Sequence, residues 1–272
     1  MTHHDSLARP EGDEMRFFGA TRTVASAGGC PLIISPMTDA DVGAVAELYR
    51  AVWIHRGNYM NRLTPGAPDN FERVGGMFRI QDERGLFDLV RDESEFVWVA
   101  KSEDGEALGA FWCGLYDPKY MDAERILPLP GCPDLSGQLR RAFAERTLYF
   151  SREILVSPGH RGAALAETLF YTGMRYFFAR GYVKTCGEVY RVRTVRDAQG
   201  MRKVDLYNNA SHNMLLRIGA RHEGAFAPIQ VHADGFDAAI SMQIMTWELA
   251  SALVRTREVL RAAGVIIWEE QE

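Results

Sequence analysis

The most constraining feature of this sequence is an apolar run that stops at a turn of small residues and is followed at once by a long helical pattern. The run from Leu148 to Val156 is typical of a buried strand, and Ser157-Pro158-Gly159 breaks it. From Arg161 to Arg180 apolar residues recur at helical spacing, and Gly181 suits the position just after the helix end. The sequence therefore predicts a strand, a tight turn and a helix in immediate succession.

A turn of this kind is suited to binding an anion. The free N–H groups of the turn and of the first helical turn, together with the helix dipole, favour a phosphate or pyrophosphate. The side chains of Gly162, Ala163, Ala164 and Ala166 are small enough to leave the approach open, and Arg161 offers a cation beside it. Neither G-x-x-x-x-G-K-[ST] nor G-x-G-x-x-G occurs, which excludes a P-loop and leaves a Rossmann site unsupported. The alternative is an ordinary strand, turn and helix whose alanines only permit tight packing.

The wider pattern predicts one α/β domain built on a mixed sheet, in the order β-α-(α)-β-β-β-α-β-α-β-β-α. The domain covers residues 31–247, after an N-terminal extension over 1–30 and before a C-terminal helix and tail over 248–272. Residues 117–140 are predicted to form a long loop, and 191–203 a charged insertion with a turn at Gln199-Gly200. The predicted helices lie near 40–55, 82–91, 161–180, 209–218 and 248–262, and the strands near 32–34, 96–100, 107–115, 148–156, 182–190, 220–232 and 238–247.

Charge and hydropathy exclude several classes of protein. With 31 basic and 36 acidic side chains the net charge is −5, which argues against a nucleic-acid-binding protein. No stretch of about 18 apolar residues occurs, so no membrane helix is expected. Residues 1–14 are polar and lack the apolar core of a secretion signal, so a cytoplasmic location is expected.

The cysteines and histidines do not suggest a metal site. Cys30, Cys113, Cys132 and Cys186 follow no zinc or thioredoxin spacing, so they are interpreted as free thiols in a reducing compartment. The histidines are scattered along the chain. We therefore expect no metal cofactor.

Two segments resemble the GNAT (GCN5-related N-acetyltransferase) superfamily. Arg161-Gly162-Ala163-Ala164-Leu165-Ala166 is similar to motif A of that family, [Q/R]-x-x-G-x-[G/A], with Ala164 in place of the central glycine. The segment 208–220 is similar to the family's N-x-x-A-x-x-L-Y-x-K-x-G-F pattern. There Asn208, Ser211, Arg217 and Gly219 fall on matching positions, while Leu215 and Ala220 replace the family's tyrosine and phenylalanine. With the order of elements, the resemblance covers roughly residues 32–247.

The resemblance implies a GNAT-like fold that binds acetyl-CoA or another acyl-CoA where strands 148–156 and 182–190 splay apart. The expected roles of the donor-binding residues are as follows: backbone groups near Leu155, Val156 and Ser157 bind the pantetheine amides, the N–H groups of Arg161, Gly162, Ala163, Ala164 and Ala166 hold the pyrophosphate, and Asn208 reaches the pantetheine arm or the helix start. The N–H of Val156 is the candidate donor to the thioester carbonyl oxygen.

Acyl transfer to an amine also needs a base and an acid. Glu153 is the predicted base, with Arg152 expected on the opposite face of the strand, and Glu188 or a chain of waters is an alternative. Glu153 could equally be a solvent-facing residue or an ion-pair partner. The family's tyrosine is often the acid for the departing thiolate, and its position here is Leu215. Tyr207 and His212, which flank that position, are the predicted acids, and Tyr190 is a third choice.

The acceptor is expected to bind between the early helix and its loop, the 117–147 insertion and the last hairpin. Candidate ligand residues are His55, Arg56, Asn58 and Tyr59 in the first of these, and Tyr116, Asp117, Lys119 and Tyr120 in the second. The expected function is transfer of an acetyl or other acyl group from acyl-CoA to the amine of a small molecule or amino acid, by direct attack in a ternary complex. Two alternatives stay open: an enzyme similar to N-acyl amino acid synthases that takes its acyl group from an acyl carrier protein, and a non-catalytic acyl-CoA-binding module. A homodimer through helix 248–262 is also left open.

Overall fold

The computed structural model describes residues 21–24, 31–54, 82–115, 117–197, 200–233 and 236–268. Its strands are β1 Thr21–Val24, β2 Pro31–Pro36, β3 Glu95–Lys101, β4 Ala107–Gly114, β5 Ile126–Pro128, β6 Leu148–Val156, β7 Lys184–Asp197, β8 Gly200–Tyr207, β9 Arg221–Phe226, β10 Ile229–Ala233, β11 Phe236–Glu248 and β12 Ile266–Trp268. Its α-helices are α1 Val42–Ile54, α2 Glu83–Arg91, α3 Leu135–Ala144, α4 Leu165–Phe178, α5 Asn209–Arg217 and α6 Leu249–Ala262.

The strands form one sheet in the order β12-β1-β2-β3-β4-β6-β7-β11-β9-β5, with β8 paired to β7 and β10 to β11. Every described pair is antiparallel except β6 with β7. A parallel pair needs a long crossover, and here α4 lies in that connection. The structure therefore confirms the predicted mixed α/β sheet.

The parallel pair opens into a fork after four register positions. Leu148 lies opposite Lys184, and the last pair is Ser151 with Gly187. Beyond it, β6 continues along β4 to Val156, while β7 continues along β11 and pairs with β8 from Arg191 onward. The facing edges of β6 and β7 are therefore not bonded to each other beyond Ser151 and Gly187, in the middle of the sheet.

Helices cover both faces of the sheet. On one face α4 packs over β3, β4 and β6 around Trp98, Phe111 and Met174, and α6 packs against α4. The opposite face carries two separate apolar clusters. One lies under α1 and α2 and includes Val45 and Leu155, and the other lies under α3 around Phe143 and Phe150.

Several predicted elements differ from the structure. The predicted loop 117–140 contains two short 3-10 turns, β5 and the start of α3. Its prolines obscured the helical spacing of Leu135, Leu139 and Phe143, which are all buried. The charged segment 191–203 is not an irregular insertion but the hairpin of β7 and β8, because β11 pairs with β7 as far as Arg196. The predicted strand 220–232 is two strands, β9 and β10, separated at Ala227 and Pro228.

The described parts of both predicted flanking regions join the domain. Thr21–Val24, within the predicted extension 1–30, pairs with both β2 and β12. β11 ends at Glu248 and α6 begins at Leu249, one residue after the predicted boundary between 247 and 248. Each helix that the structure describes is too short or too polar to cross a membrane. Cys113, Cys132 and Cys186 are free thiols, while Cys30 lies outside the described residues.

Candidate functional site

Backbone groups of β6 line one side of the fork. The Ser157 N–H donates to the Leu108 carbonyl oxygen at 2.8 Å, so residue 157 bonds toward β4. Bonded and non-bonded pairs alternate in an antiparallel ladder. With Leu155 opposite Ala110, the backbone of Leu155 also bonds toward β4, whereas Ile154 and Val156 face the fork.

This alternation corrects part of the predicted donor site. Of Leu155, Val156 and Ser157, only Val156 offers its backbone to the fork, because the other two bond to β4. Ile154, which the sequence prediction did not include, offers its backbone as well. The sequence could not show this because it does not reveal which residues of β6 bond to β4.

The turn from Ser157 to Ala164, here called the small-residue turn, separates β6 from α4. Pro158–His160 forms a 3-10 turn, and α4 begins at Leu165 rather than at the predicted Arg161. Gly162 and Ala164 have positive φ, +86° and +56°, which a helix does not allow. Ala164 therefore occupies, as the residue before the helix, a left-handed conformation that favours glycine.

The small-residue turn leaves a run of backbone donors unpaired. Within the described residues, the N–H groups from Gly162 to Glu167 donate no hydrogen bond, and Thr168 is the first to do so, to the Ala164 oxygen at 3.0 Å. Ala164 supplies no side-chain cap. A Cβ added at Gly162 would meet nothing within 4 Å, so the space beside these donors is open. The turn therefore presents free N–H groups beside open space, with Arg161 exposed next to them, and pyrophosphate binding there stays a prediction.

Asn208 and Arg217 connect α5 to this region. The Asn208 side-chain oxygen accepts from the Ser211 N–H at 3.3 Å and caps α5, while its own N–H donates to the Tyr190 oxygen at 3.3 Å. Of the two roles predicted for Asn208, the helix start is the one seen. At the other end of α5, Arg217 pairs with Glu167 in the first turn of α4.

A bulge in β6 changes the predicted orientation of Glu153. Trp112 lies opposite Glu153 and Cys113 opposite Ser151, so Arg152 is an extra residue in the ladder. As a result, Arg152 and Glu153 lie on the same face rather than on opposite faces. The Arg152 guanidinium is 5.4 Å from the Trp112 ring centre, and Trp112 lines a pocket with Glu153.

Glu153 is held by a buried tyrosine of α1. Its Oε2 accepts from the Tyr49 hydroxyl at 2.7 Å, and Tyr49 is only 3% exposed. Burial, with the Glu153 charge, raises the pKa of Tyr49 well above its usual value, so the phenol stays protonated and donates. The pocket lies between the sheet and helices α1 and α2, and its lining residues are Tyr49, Leu86, Leu89, Val97, Ala110, Trp112, Glu153 and Leu155.

A chain of charges, here called the Arg152 seam, crosses the fork between the two apolar clusters of this face. Its members are Glu95, Arg152, Asp117, Lys119 and Glu188. Arg152 donates to both oxygens of Glu95, at 2.9 and 2.6 Å, and to Asp117 at 2.7 Å. Lys119 lies 3.3 Å from Asp117 and 2.9 Å from Glu188. Arg152 and Glu188 are the first residues of β6 and β7 beyond the fork point, so the seam joins two strands that no longer bond to each other.

Burial and pairing oppose each other within the seam. Burial raises the pKa of Glu95 more than the hydrogen bonds from Arg152 and Trp112 lower it. Burial would lower the pKa of Arg152, but Glu95 and Asp117 outweigh it and raise that pKa. The Tyr120 hydroxyl donates to Glu188 at 2.9 Å, and burial raises the pKa of Tyr120 well above its usual value.

The structure describes the side chains of some of the predicted acids but not of all of them. His212 is half-buried, and burial lowers its pKa, which favours the neutral imidazole. The side chain of Tyr207 lies outside the described residues, although its backbone pairs with Arg191. Leu215 is buried in the core cluster that includes α4, and Tyr190 packs partly buried against the cluster under α3.

Some of the residues predicted to bind the acceptor are also described by the structure, and others are not. His55, Arg56, Asn58, Tyr59 and Tyr116 lie outside the described residues. Asp117, Lys119 and Tyr120 are brought to Glu188, the alternative base, by the 3-10 turn Pro118–Met121. Glu95 and the pairing of Arg152 were missed, although an arginine inside the apolar run 148–156 was a signal for a buried ion pair. Among the described residues, no group of three or more His, Cys, Asp or Glu could hold a metal ion.

No protein-family model matches this sequence, and no curated protein matches it significantly. Solved structures similar to this chain include an N-acetyltransferase from Staphylococcus aureus Mu50, 16% identical, covering 80% of this chain and 98% of its own, with a TM-score of 0.47. The PaiA N-acetyltransferase from Thermoplasma acidophilum in complex with coenzyme A is 11% identical, with 80% and 98% covered and a TM-score of 0.49. A GCN5-related N-acetyltransferase from Kribbella flavida is 14% identical, with 80% and 97% covered and a TM-score of 0.47. Each of these three neighbours is named as an N-acetyltransferase.

Proposed function

We propose that this protein is an N-acyltransferase that transfers an acetyl or other acyl group from acyl-CoA to an amine. The observation that carries the proposal is the fork between β6 and β7, with unpaired strand backbone on its edge and a run of free N–H groups beside it. Strand edges bind amide-rich arms by completing the sheet. Free N–H groups before a helix bind phosphate. Acyl-CoA carries both, in the order in which β6 and the small-residue turn present them.

The described residues fit this donor. Ile154 and Val156 meet the pantetheine amides, and the N–H groups of Gly162 to Ala166 meet the pyrophosphate. The open space at Gly162 leaves room for the phosphates. The exposed Arg161 guanidinium attracts their negative charge. The bound donor supplies an activated thioester, and this chain positions it.

The acid–base assignments follow from the same strand. The Val156 N–H donates to the oxygen on which negative charge develops as the amine attacks. Glu153 accepts the amine proton, and Tyr49 fixes the orientation of that carboxylate. Three strand residues span about 10 Å, so a bridging water carries the proton between amine and carboxylate. Tyr207 is preferred over His212 as the acid for the thiolate, because a neutral imidazole is a weak acid.

The test is a thermal-shift titration with acetyl-CoA, octanoyl-CoA, palmitoyl-CoA, free CoA and acetyl-pantetheine. A ligand at about 100 times its Kd should stabilise the protein by about 2.7 kcal/mol. Ala163→Asp places a carboxylate beside the expected pyrophosphate and should weaken CoA binding at least about tenfold, but leave acetyl-pantetheine unchanged. Ala250→Asp is the matched control, because it puts the same charge on an exposed alanine in the first turn of α6.

The outcomes separate the proposal from its two alternatives. A shift with acyl-CoA together with thiol release in the presence of amines supports the transferase. A shift without thiol release beyond background favours a binding module. No shift with any CoA ligand contradicts the acyl-CoA proposal and points to a donor on a carrier protein, which turnover of an acyl carrier protein would establish.

A further inference from the structure

A short turn after β4 bridges the two strands of the fork. The 3-10 turn Pro118–Met121, with Asp117 before it, is here called the bridging turn. Asp117 accepts from Arg152 of β6 at 2.7 Å, and Lys119 lies 2.9 Å from Glu188 of β7. One turn of chain therefore connects β6 to β7 just beyond the end of their ladder.

Packing as well as charge holds the bridging turn against β7. The Tyr120 hydroxyl donates at 2.9 Å to the same Glu188 oxygen that Lys119 contacts. Tyr120 is fully buried, and the centre of its ring lies 5.2 Å from the ring centres of both Phe150 and Phe226. The Lys119 ammonium lies 4.6 Å from the centre of the Phe150 ring, which is a cation–π contact. The turn therefore cannot slide along β7 without breaking buried contacts.

A single carboxylate holds the bridging turn against β6. One oxygen of Asp117 accepts from the Lys119 N–H at 3.1 Å and caps the turn, while the other accepts from Arg152. The side chain of Asp117 is 10% exposed and that of Glu188 is 3% exposed. Solvent screens charges at this depth only weakly, and such pairs depend on good geometry. A change in one link should therefore alter how far apart the two strands lie.

The separation of the two strands decides whether a donor can bind between them. Beyond Ser151 and Gly187, ladder hydrogen bonds no longer set that separation. A pantetheine arm that completes the sheet must reach the backbone of Ile154 and Val156, which face the fork. Hydrogen bonds weaken steeply as distances and angles depart from their preferred values. The open part of the fork must therefore be held at a width that matches the arm.

We propose that Asp117 and Lys119 are positioning residues that hold β6 and β7 at the separation required by the pantetheine arm of the donor. The inference rests on the proposed function and adds two residues to it. Asp117 acts through Arg152 on β6, and Lys119 acts through Glu188 on β7. This role differs from the contact with the acceptor that the sequence predicts for both residues.

The experiment measures the Kd of acetyl-CoA and of acetyl-pantetheine by calorimetry. Lys119→Met keeps an apolar stem but cuts the link to Glu188, and it should raise both Kd values at least about fivefold, the equivalent of one lost hydrogen bond. Lys119→Arg keeps a cation at this position and should recover most of the affinity. Should Lys119→Met fail to fold, Asp117→Asn cuts the bridge at its β6 end, and asparagine still caps the turn.

Lys101→Met is the matched control. Lys101 pairs with Asp41 at 2.7 Å, and their side chains are 23% and 8% exposed. The corresponding values for Lys119 and Glu188 are 26% and 3%. The control pair joins β3 to the 3-10 turn before α1 and lies away from the fork. Both variants should therefore lose similar stability, but only Lys119→Met should weaken donor binding.

A measurement without ligand separates the inference from the proposed function. The backbone amide resonances of Ile154 and Val156 should shift in Lys119→Met and stay in place in Lys101→Met. If the parent protein binds neither donor, the proposed function fails. In that case a shift in Lys119→Met alone supports the bridging turn as the element that holds the fork, and unchanged resonances overturn it.

Three binding results would overturn the inference and leave the proposed function intact. The first is that Lys119→Met binds both donors as tightly as the parent protein. The second is an equal loss in Lys101→Met, because the effect would then be one of general stability. The third is a loss confined to acetyl-CoA, because the cation would then act on the phosphates and not on the fork.

Discussion

The small-residue turn and the Arg152 seam lie beside the same fork and are built in opposite ways. The turn is a run of consecutive residues whose binding groups are backbone N–H donors, and its side chains are small. The seam draws charged side chains from β3, β6, β7 and the 3-10 turn after β4, and its groups are already paired with one another. The first can receive a ligand, while the second holds the strands that frame that ligand.

The difference determines whether each region contributes mainly to ligand binding or to folding stability. Unpaired N–H groups on an open turn are solvated, so they lose little when no ligand is bound. Glu95 and Asp117 are at least nine-tenths buried, so they depend on Arg152 to compensate for lost hydration. Changes in the seam should therefore affect folding, and changes in the turn should affect binding and local strain.

The largest effect is expected from Arg152→Met. Removing the cation leaves two buried carboxylates without their main partner, which typically costs about 3–5 kcal/mol of unfolding free energy. Urea unfolding of the variant and the parent protein measures this difference. The matched control is Arg141→Met, because the Arg141–Asp134 pair is 62% exposed on both sides and its loss should change stability little. Similar losses in both variants would show that the seam is no more than a surface network.

The pH dependence of the unfolding free energy tests the role of Arg152 in a second way. Burial raises the pKa of Glu95, and losing Arg152 raises that pKa further. A carboxyl with a raised pKa in the folded state favours folding at low pH, and that contribution is lost as pH rises through the folded pKa. The deficit of Arg152→Met should therefore shrink as pH falls from about 8 toward about 5, closer to the ordinary pKa of glutamic acid near 4.3. A deficit that is constant with pH would assign the loss to packing instead.

The smallest effect is expected at the turn itself. Ala164 has a left-handed backbone, which costs an alanine roughly 1–2 kcal/mol relative to glycine. Ala164→Gly relieves this strain but adds freedom to the unfolded chain, so we expect a net gain of up to about 1 kcal/mol. Ala166→Gly, two residues later in helical conformation, should lose about 0.5–1 kcal/mol. If Ala164→Gly and Ala166→Gly both lower the unfolding free energy, Ala164 is not strained in the parent protein.

Local pattern was enough to predict the turn but not the seam. The break at Ser157-Pro158-Gly159 and the small residues after it predicted the turn correctly, because both properties belong to neighbouring residues. The start of α4 was misplaced by the positive φ of Gly162 and Ala164, which the residue types alone did not reveal. Arg152 was placed on the wrong face because one bulge opposite Trp112 shifts every later residue of β6. Glu95 is 57 positions away from Arg152, so no local pattern could connect them.

The alternation along β6 has a consequence for amide hydrogen exchange. Leu155 and Ser157 have N–H groups that bond toward β4, and these protons should exchange with solvent only when the sheet opens. Ile154 and Val156, in the same strand of the same sheet, have N–H groups that face the fork and should exchange rapidly. A single strand in the centre of the protein would then show slow and fast amides in turn, and an occupant of the fork would remove the contrast by slowing only the fast ones.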